Sequence, residues 1–260
     1  MKKGKFKYIV IILILVIYAV CMYLAFGVSE TREREASTTI LVGDAAVWDY
    51  SSRNWMNVTT PSLLSKLNWQ SFHVYIDHEY LGDYLVWNDD EWYIFDENRQ
   101  SVSYQGELFA YQADFDMNIL SYETTDITDY TYARQVLEEH GLSPDSQYTL
   151  ATVSSLDFDK DGVDENFYVI SNVFAMDFFP DKYFSFVFMV DDDTIYMLYE
   201  DVDVNEGVNG CMPNLYTVAD LDNDQDNELI LTCAKYSNQT PVAMLYEFRD
   251  NAFEIKISNQ

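Results

Sequence analysis

The sequence predicts a mainly β protein. It has two four-stranded antiparallel units, an N-terminal β-hairpin region, one or two short helices and a single N-terminal transmembrane helix. Three observations carry this. Runs of β-branched and aromatic residues fill most of the chain after residue 70, and the 260 residues include 21 tyrosines. An acidic nine-residue pattern recurs at an offset of 63 residues, each copy leading into such a run. Near the N-terminus, Tyr8 to Val28 contains no charge, and a bilayer crossing takes roughly 20 such residues.

In chain order, residues 1–7 form a basic segment with Lys2, Lys3, Lys5 and Lys7. Residues 8–28 read as an uncleaved signal-anchor, because the apolar run exceeds the length of a signal-peptide core and Tyr23-Leu24-Ala25-Phe26-Gly27 is a poor cleavage site. Lysines before the span, against Glu30, Arg32, Glu33, Arg34 and Glu35 after it, place the N-terminus in the cytoplasm and the C-terminal domain outside the cell membrane. Residues 29–46 read as a polar juxtamembrane stalk.

Residues 47–146 form an N-terminal β-rich region. Pro61 to Leu67 reads as a short helix capped by Thr60, with Pro61 at its first position. Phe72 to Ile76, Tyr80 to Trp87 and Glu91 to Phe95 alternate as strands, and Asn88-Asp89-Asp90 makes a turn. Asp126 to Gly141 is the clearest soluble helix, with Ala133, Val136, Leu137 and His140 on one face.

Residues 147–260 hold the two repeats. The first has strands over Tyr148 to Leu156, Asn166 to Val173, Phe184 to Val190 and Thr194 to Glu200. The second has strands over Tyr216 to Ala219, Glu228 to Lys235, Val242 to Phe248 and Ala252 to Ile257. Asp191-Asp192-Asp193 and Arg249-Asp250-Asn251 read as matching turns. Four antiparallel strands per unit is propeller-blade architecture, but a closed ring takes about four to eight blades. Two blades predict an open stack, capped by the helix and the N-terminal sheet.

The acidic loops are Asp157-Phe158-Asp159-Lys160-Asp161-Gly162-Val163-Asp164-Glu165 and Asp220-Leu221-Asp222-Asn223-Asp224-Gln225-Asp226-Asn227-Glu228. Carboxylates at positions 1, 3, 5 and 9 aim oxygens at one point, as a hard cation requires, and calcium takes six to eight oxygens. An EF-hand would need an acid at position 12, where Tyr168 and Leu231 stand. The flanks read as strands rather than helices.

These two segments, with the strands around them, resemble FG-GAP and VCBS-type repeats, the calcium-loop blades of integrin α-chain propellers. The resemblance implies side-chain ligands at positions 1, 3, 5 and 9 and a main-chain carbonyl at position 7. It thus implies one calcium site at Asp157, Asp159, Asp161, Val163 and Glu165, and another at Asp220, Asp222, Asp224, Asp226 and Glu228. The second loop departs at Gln225, where the family usually has glycine. Positive φ costs a non-glycine residue about 1–2 kcal/mol.

Charge narrows the partners. Without the four N-terminal lysines, 11 basic residues face 44 acidic ones. That excludes nucleic acid, which needs a basic footprint, and argues against an anionic membrane surface. Cys211 and Cys233 bracket the second loop; a disulfide and two buried thiols both remain open. No nucleophile elbow, zincin motif, phosphate loop or Cys-x-x-Cys occurs. His73, His78 and His140 do not have metal-ligand spacing. Trp48, Trp55, Trp69, Trp87 and Trp92 suit either sugar stacking or core packing. The expected function is a non-catalytic calcium-binding module for an envelope protein or glycan. The alternatives are an envelope polysaccharide-acting enzyme with carboxylate chemistry in residues 45–125, or a structural subunit of a larger complex.

Overall fold

The strands whose sequences are apolar without interruption lie in the middle of the molecule. In the computed structural model, which describes residues 37–51, 53–89, 91–173, 182–203, 210–235 and 238–259, the protein is mainly β, with antiparallel sheets. One sheet contains β14 (Cys211–Ala219), β15 (Glu228–Lys235), β16 (Asn238–Arg249) and β17 (Ala252–Ser258), in that order. A second runs β13 (Thr194–Asp203), β12 (Tyr183–Asp191), β11 (Glu165–Ser171), β10 (Leu150–Leu156) and β9 (Thr124–Asp126).

The third sheet has eight strands. Its members are β1 (Thr38–Val42), β2 (Ala46–Ser51), β3 (Asn54–Asn57), β4 (Ser71–Ile76), β5 (Glu79–Asp89), β6 (Glu91–Phe95), β7 (Ser101–Val102) and β8 (Leu108–Ala113). Their spatial order is β3-β2-β1-β8-β4-β5-β6-β7. Two helices, α1 (Pro61–Leu67) and α2 (Thr131–Glu139), complete the described elements.

The buried clusters show how these layers stack. Phe167, Val169, Val187 and Met189 of the five-stranded sheet pack with Leu229, Leu231, Val242 and Met244 of the four-stranded sheet. On the opposite face of the four-stranded sheet, Ile230, Ala243 and Leu245 meet Ile40, Val42, Trp48 and Phe109 of the eight-stranded one. Helix α2 covers the outer side of the five-stranded sheet through Ala133, Val136 and Leu137, against Ile170, Phe184, Phe186 and Phe188. Leu64 and Leu67 of α1 pack against Phe72, Val74 and Val86 on the far side of the eight-stranded sheet. The order is helix, three sheets, helix. A sheet buried on both faces has no polar side to alternate, which is why Leu229-Ile230-Leu231 reads as a continuous apolar run.

The tight turns follow from the right-handed twist of the strands. Asp77-His78, Asp192-Asp193 and Asp250-Asn251 each place two consecutive residues at positive φ, as two-residue type I′ hairpins require.

Three expectations change. Residues 29–46 do not form a stalk from Thr38 onward: β1 is a central strand paired with both β2 and β8, and Ile40, Leu41 and Val42 are fully buried. Helix α2 starts at Thr131 rather than Asp126, because Asp126 pairs with Thr152 as the end of β9. Asp129 Oδ1 then accepts the backbone N–H of Thr131 at 3.0 Å, ordering the helix entry. The first repeat thereby gains a fifth strand, while the second keeps four. The span expected over Tyr8 to Val28 lies outside the described residues; among these, no helix is long and apolar enough to cross a membrane.

Candidate metal centre

Each acidic loop joins the first two long strands of its repeat: β10 to β11 and β14 to β15. The residue at position 2 anchors each loop from below. Phe158 is buried against Phe167 and Phe253, with ring centroids 5.5 and 5.8 Å away, and Leu221 is buried in the neighbouring layer. With an apolar plug at position 2, the alternate acidic residues are left around the rim.

The two loops share one hydrogen-bond scheme. The position 2 amide donates to the position 9 carboxylate: Phe158 to Glu165 Oε2 and Leu221 to Glu228 Oε2, both at 2.6 Å. The position 5 amide donates to position 3, Asp161 to Asp159 at 3.0 Å and Asp224 to Asp222 at 3.2 Å. The position 6 amide donates to position 1, Gly162 to Asp157 Oδ2 at 3.2 Å and Gln225 to Asp220 Oδ2 at 3.1 Å. The position 7 amide donates to position 5, Val163 to Asp161 at 2.8 Å and Asp226 to Asp224 at 3.0 Å. Position 6 has positive φ in both, 91° at Gly162 and 83° at Gln225. Gln225 thus takes the conformation that its repeat position demands.

This scheme brings positions 1, 3 and 9 together. One oxygen each from Asp157, Asp159 and Glu165 lies within 4.8 Å of the others, as does one each from Asp220, Asp222 and Glu228. Asp161 and Asp224 stand outside these two groups. Val163 and Asp226 carry the position 7 amides that hold Asp161 and Asp224 in place.

Crowding and burial work against charge in these groups. Burial raises the Glu165 carboxyl, and it raises that of Glu228 well above the usual range. Asp220 is raised by burial, and Asp222 is raised to about 6 by burial and then by Asp224. A divalent cation among these oxygens would reverse that penalty. In the first loop, Asp157 Oδ1 is a buried oxygen with no hydrogen-bond partner. The donor set is oxygen throughout and suits a hard cation, calcium or magnesium, rather than a thiophilic metal.

The loops lie side by side. Lys160 Nζ donates to the Gln225 carbonyl at 2.6 Å, and Asn227 Nδ2 donates to the Phe158 carbonyl. Two contributors to the second loop were not read from the sequence. Tyr50, from β2, has its hydroxyl raised to about 12 by burial and by its hydrogen bond and charge interaction with Asp222. Arg249 reaches Asp224 at 3.4 Å and Glu247 at 2.8 Å, and Lys256 also reaches Glu247 at 2.8 Å. Only the register of distant strands brings these groups to the loop. Cys211 and Cys233, on paired strands with Cα atoms 5.4 Å apart, form a disulfide.

The remaining singled-out residues lie elsewhere. His73 contacts Asp83 at 2.6 Å, His140 contacts Glu200 at 2.9 Å, and the His78 ring lies tilted against Tyr122 with centroids 4.7 Å apart. Trp48 and Trp92 are core residues. Trp69 lies 5.0 Å from both Trp87 and Phe95, and all three are partly exposed.

Comparison with family models, with curated proteins and with solved structures gives no match for this chain.

Proposed function

We propose that this chain is a membrane-anchored, calcium-stabilised extracellular module that binds a protein or glycan of the cell envelope and carries out no catalysis. The observation behind the metal part is the repetition: two loops, 63 residues apart, fold with the same hydrogen bonds and gather the same three carboxylate positions. Strands flank both loops, in keeping with an FG-GAP or VCBS-type blade rather than an EF-hand. Calcium is the hard cation most suited to a flexible oxygen-rich loop, since magnesium demands tighter octahedral geometry and keeps its waters.

The anchor rests on the uncharged span Tyr8 to Val28 and its flanking lysines. Calcium would act chiefly by holding the loops, and with them the ends of two stacked sheets. The Trp69, Trp87 and Phe95 rings, outside the buried clusters and beside the exposed Tyr93, give a glycan an aromatic surface to stack on.

The test is thermal unfolding of the purified chain in mild detergent, in millimolar calcium and in chelator. A ligand at 100 times its dissociation constant stabilises by about 2.7 kcal/mol. An unchanged midpoint would remove calcium from the proposal.

A further inference from the structure

We infer that the two loops are not equivalent. The second is closed by the protein's own cation, Arg249, and the first is the loop whose order depends on a divalent ion. This rests on the calcium reading for the first loop and assigns the response to one of the two sites.

The contrast begins at one topological position. Asp191 ends β12 and pairs with Thr194 across a two-residue turn; Arg249 ends β16 and pairs with Ala252 across the same kind of turn. Of the two hairpin residues, Arg249 reaches the acidic loop of its own repeat. Arg249 places a guanidinium 3.4 Å from Asp224 Oδ2 and 2.8 Å from Glu247. Asp191 instead puts a carboxylate at the end of its hairpin strand. The second repeat has a cation at the hairpin position where the first has an acid.

Other differences point the same way. Asp220 is satisfied at both oxygens, Oδ1 by the Asp224 amide and Oδ2 by the Gln225 amide. Its counterpart Asp157 has only Oδ2 satisfied, by Gly162, and leaves a buried Oδ1 without a partner. Among the described residues, no carboxylate of the first loop is paired with a lysine or arginine. The first loop's own lysine, Lys160, turns away and donates to the Gln225 carbonyl of the second loop. The Cys211–Cys233 disulfide ties together the strands flanking the second loop. The cysteine positions, shifted back by the 63-residue repeat, are Tyr148 and Ile170 in the first.

Arg249 thus offsets part of the second loop's negative charge at Asp224, and among the described residues no lysine or arginine does so at the first. A divalent ion at the second loop that took Asp224 as a further ligand would have to draw it away from Arg249 or share it. At the first loop it would meet an oxygen with no partner and no competing cation.

The test is amide hydrogen exchange of the full chain in detergent, read by peptide mass spectrometry in millimolar calcium and in chelator. With calcium at 100 times its dissociation constant, exchange through local opening of residues 157–165 slows about 100-fold, while residues 220–228 stay about unchanged. In chelator, Arg249→Gln speeds exchange of residues 220–228 about two- to fivefold, the range of a partly exposed ion pair. Calcium then slows that loop in the variant. Arg249→Lys keeps the charge and stays close to wild type, which separates loss of the cation from loss of packing.

Equal protection of both wild-type loops by calcium would overturn the inference and leave the calcium reading standing. No response at either loop would remove the calcium reading and the inference together. A response at the first loop, with Arg249→Gln matching wild type at residues 220–228 in both conditions, would overturn the role given to Arg249 alone.

Discussion

Exchanging the residues at position 6 of the two loops isolates backbone strain from metal chemistry. Gly162 and Gln225 have φ of 91° and 83°, in nearly the same hydrogen-bonded setting. A Cβ added at Gly162 meets nothing within 4 Å, so the cost there is conformational and not steric crowding by neighbours. Left-handed backbone costs a residue with a Cβ about 1–2 kcal/mol. Removing glycine from the unfolded chain returns about 0.4–1 kcal/mol through lost freedom. The net is about 1 kcal/mol, unfavourable for Gly162→Gln and favourable for Gln225→Gly.

The Gln225 carbonyl that accepts Lys160 belongs to the main chain and survives the change. Urea unfolding in chelator measures both variants without metal linkage. For a domain of this size, about 1 kcal/mol moves the thermal midpoint by about 2–4 °C. Stabilisation by Gln225→Gly and matching destabilisation by Gly162→Gln is the expected pair. A destabilised Gln225→Gly protein would refute the reasoning, because side-chain contacts of Gln225 would then outweigh its backbone strain.

Further outcomes follow from the same structure. The metal-free protein should lose stability as pH rises from about 4 to about 6. Asp222 is raised to about 6 and Glu228 well above its usual range, against an unfolded Asp near 3.9, so the folded state binds more protons in that window. Urea unfolding across this range in chelator reads the slope. Ile230→Ala and Leu231→Ala should each cost about 2–5 kcal/mol. Hydrogen exchange should rise in β1 and β8 for the first and in β11 and β12 for the second, since the two side chains face different layers. Cys211→Ser should cost about 3 kcal/mol in denaturant unfolding, the chain-entropy value for a link across a separation of 22 residues. Thiol titration of the unfolded wild-type chain should find only Cys21 free.

The repeats were legible because their signal is local. Nine residues with acids at fixed positions define each loop, and alignment with Gly162 is enough to assign positive φ to Gln225. Strand positions in the repeats were legible too, from apolar runs bounded by acidic turns. Strand β1 was not, because Thr38 to Val42 is short and adjoins the charged stretch 30–35. What makes it a strand is β8, with Ile40 opposite Tyr111, and no local window contains that pairing. The helix boundary failed for a related reason: β10 claims Asp126 for the sheet before a helix can use it. At the loops, Tyr50 and Arg249 escaped sequence reading because their roles depend on strand register.

Stacking the sheets also fixes what a cation could do beyond its own loop. Phe158 belongs to the first loop, yet its ring lies 6.2 Å from Phe248 and 5.8 Å from Phe253, both in the second repeat. Its carbonyl accepts Asn227, and Lys160 crosses in the opposite sense to Gln225. The first loop is therefore part of the end wall of the four-stranded sheet. Ordering it would stiffen the interface between the two repeats, and releasing it would loosen Phe158, which fills that interface. An ion bound at one acidic rim would thus reach the middle layer of the molecule through a single buried ring and two hydrogen bonds, with no change in strand pairing.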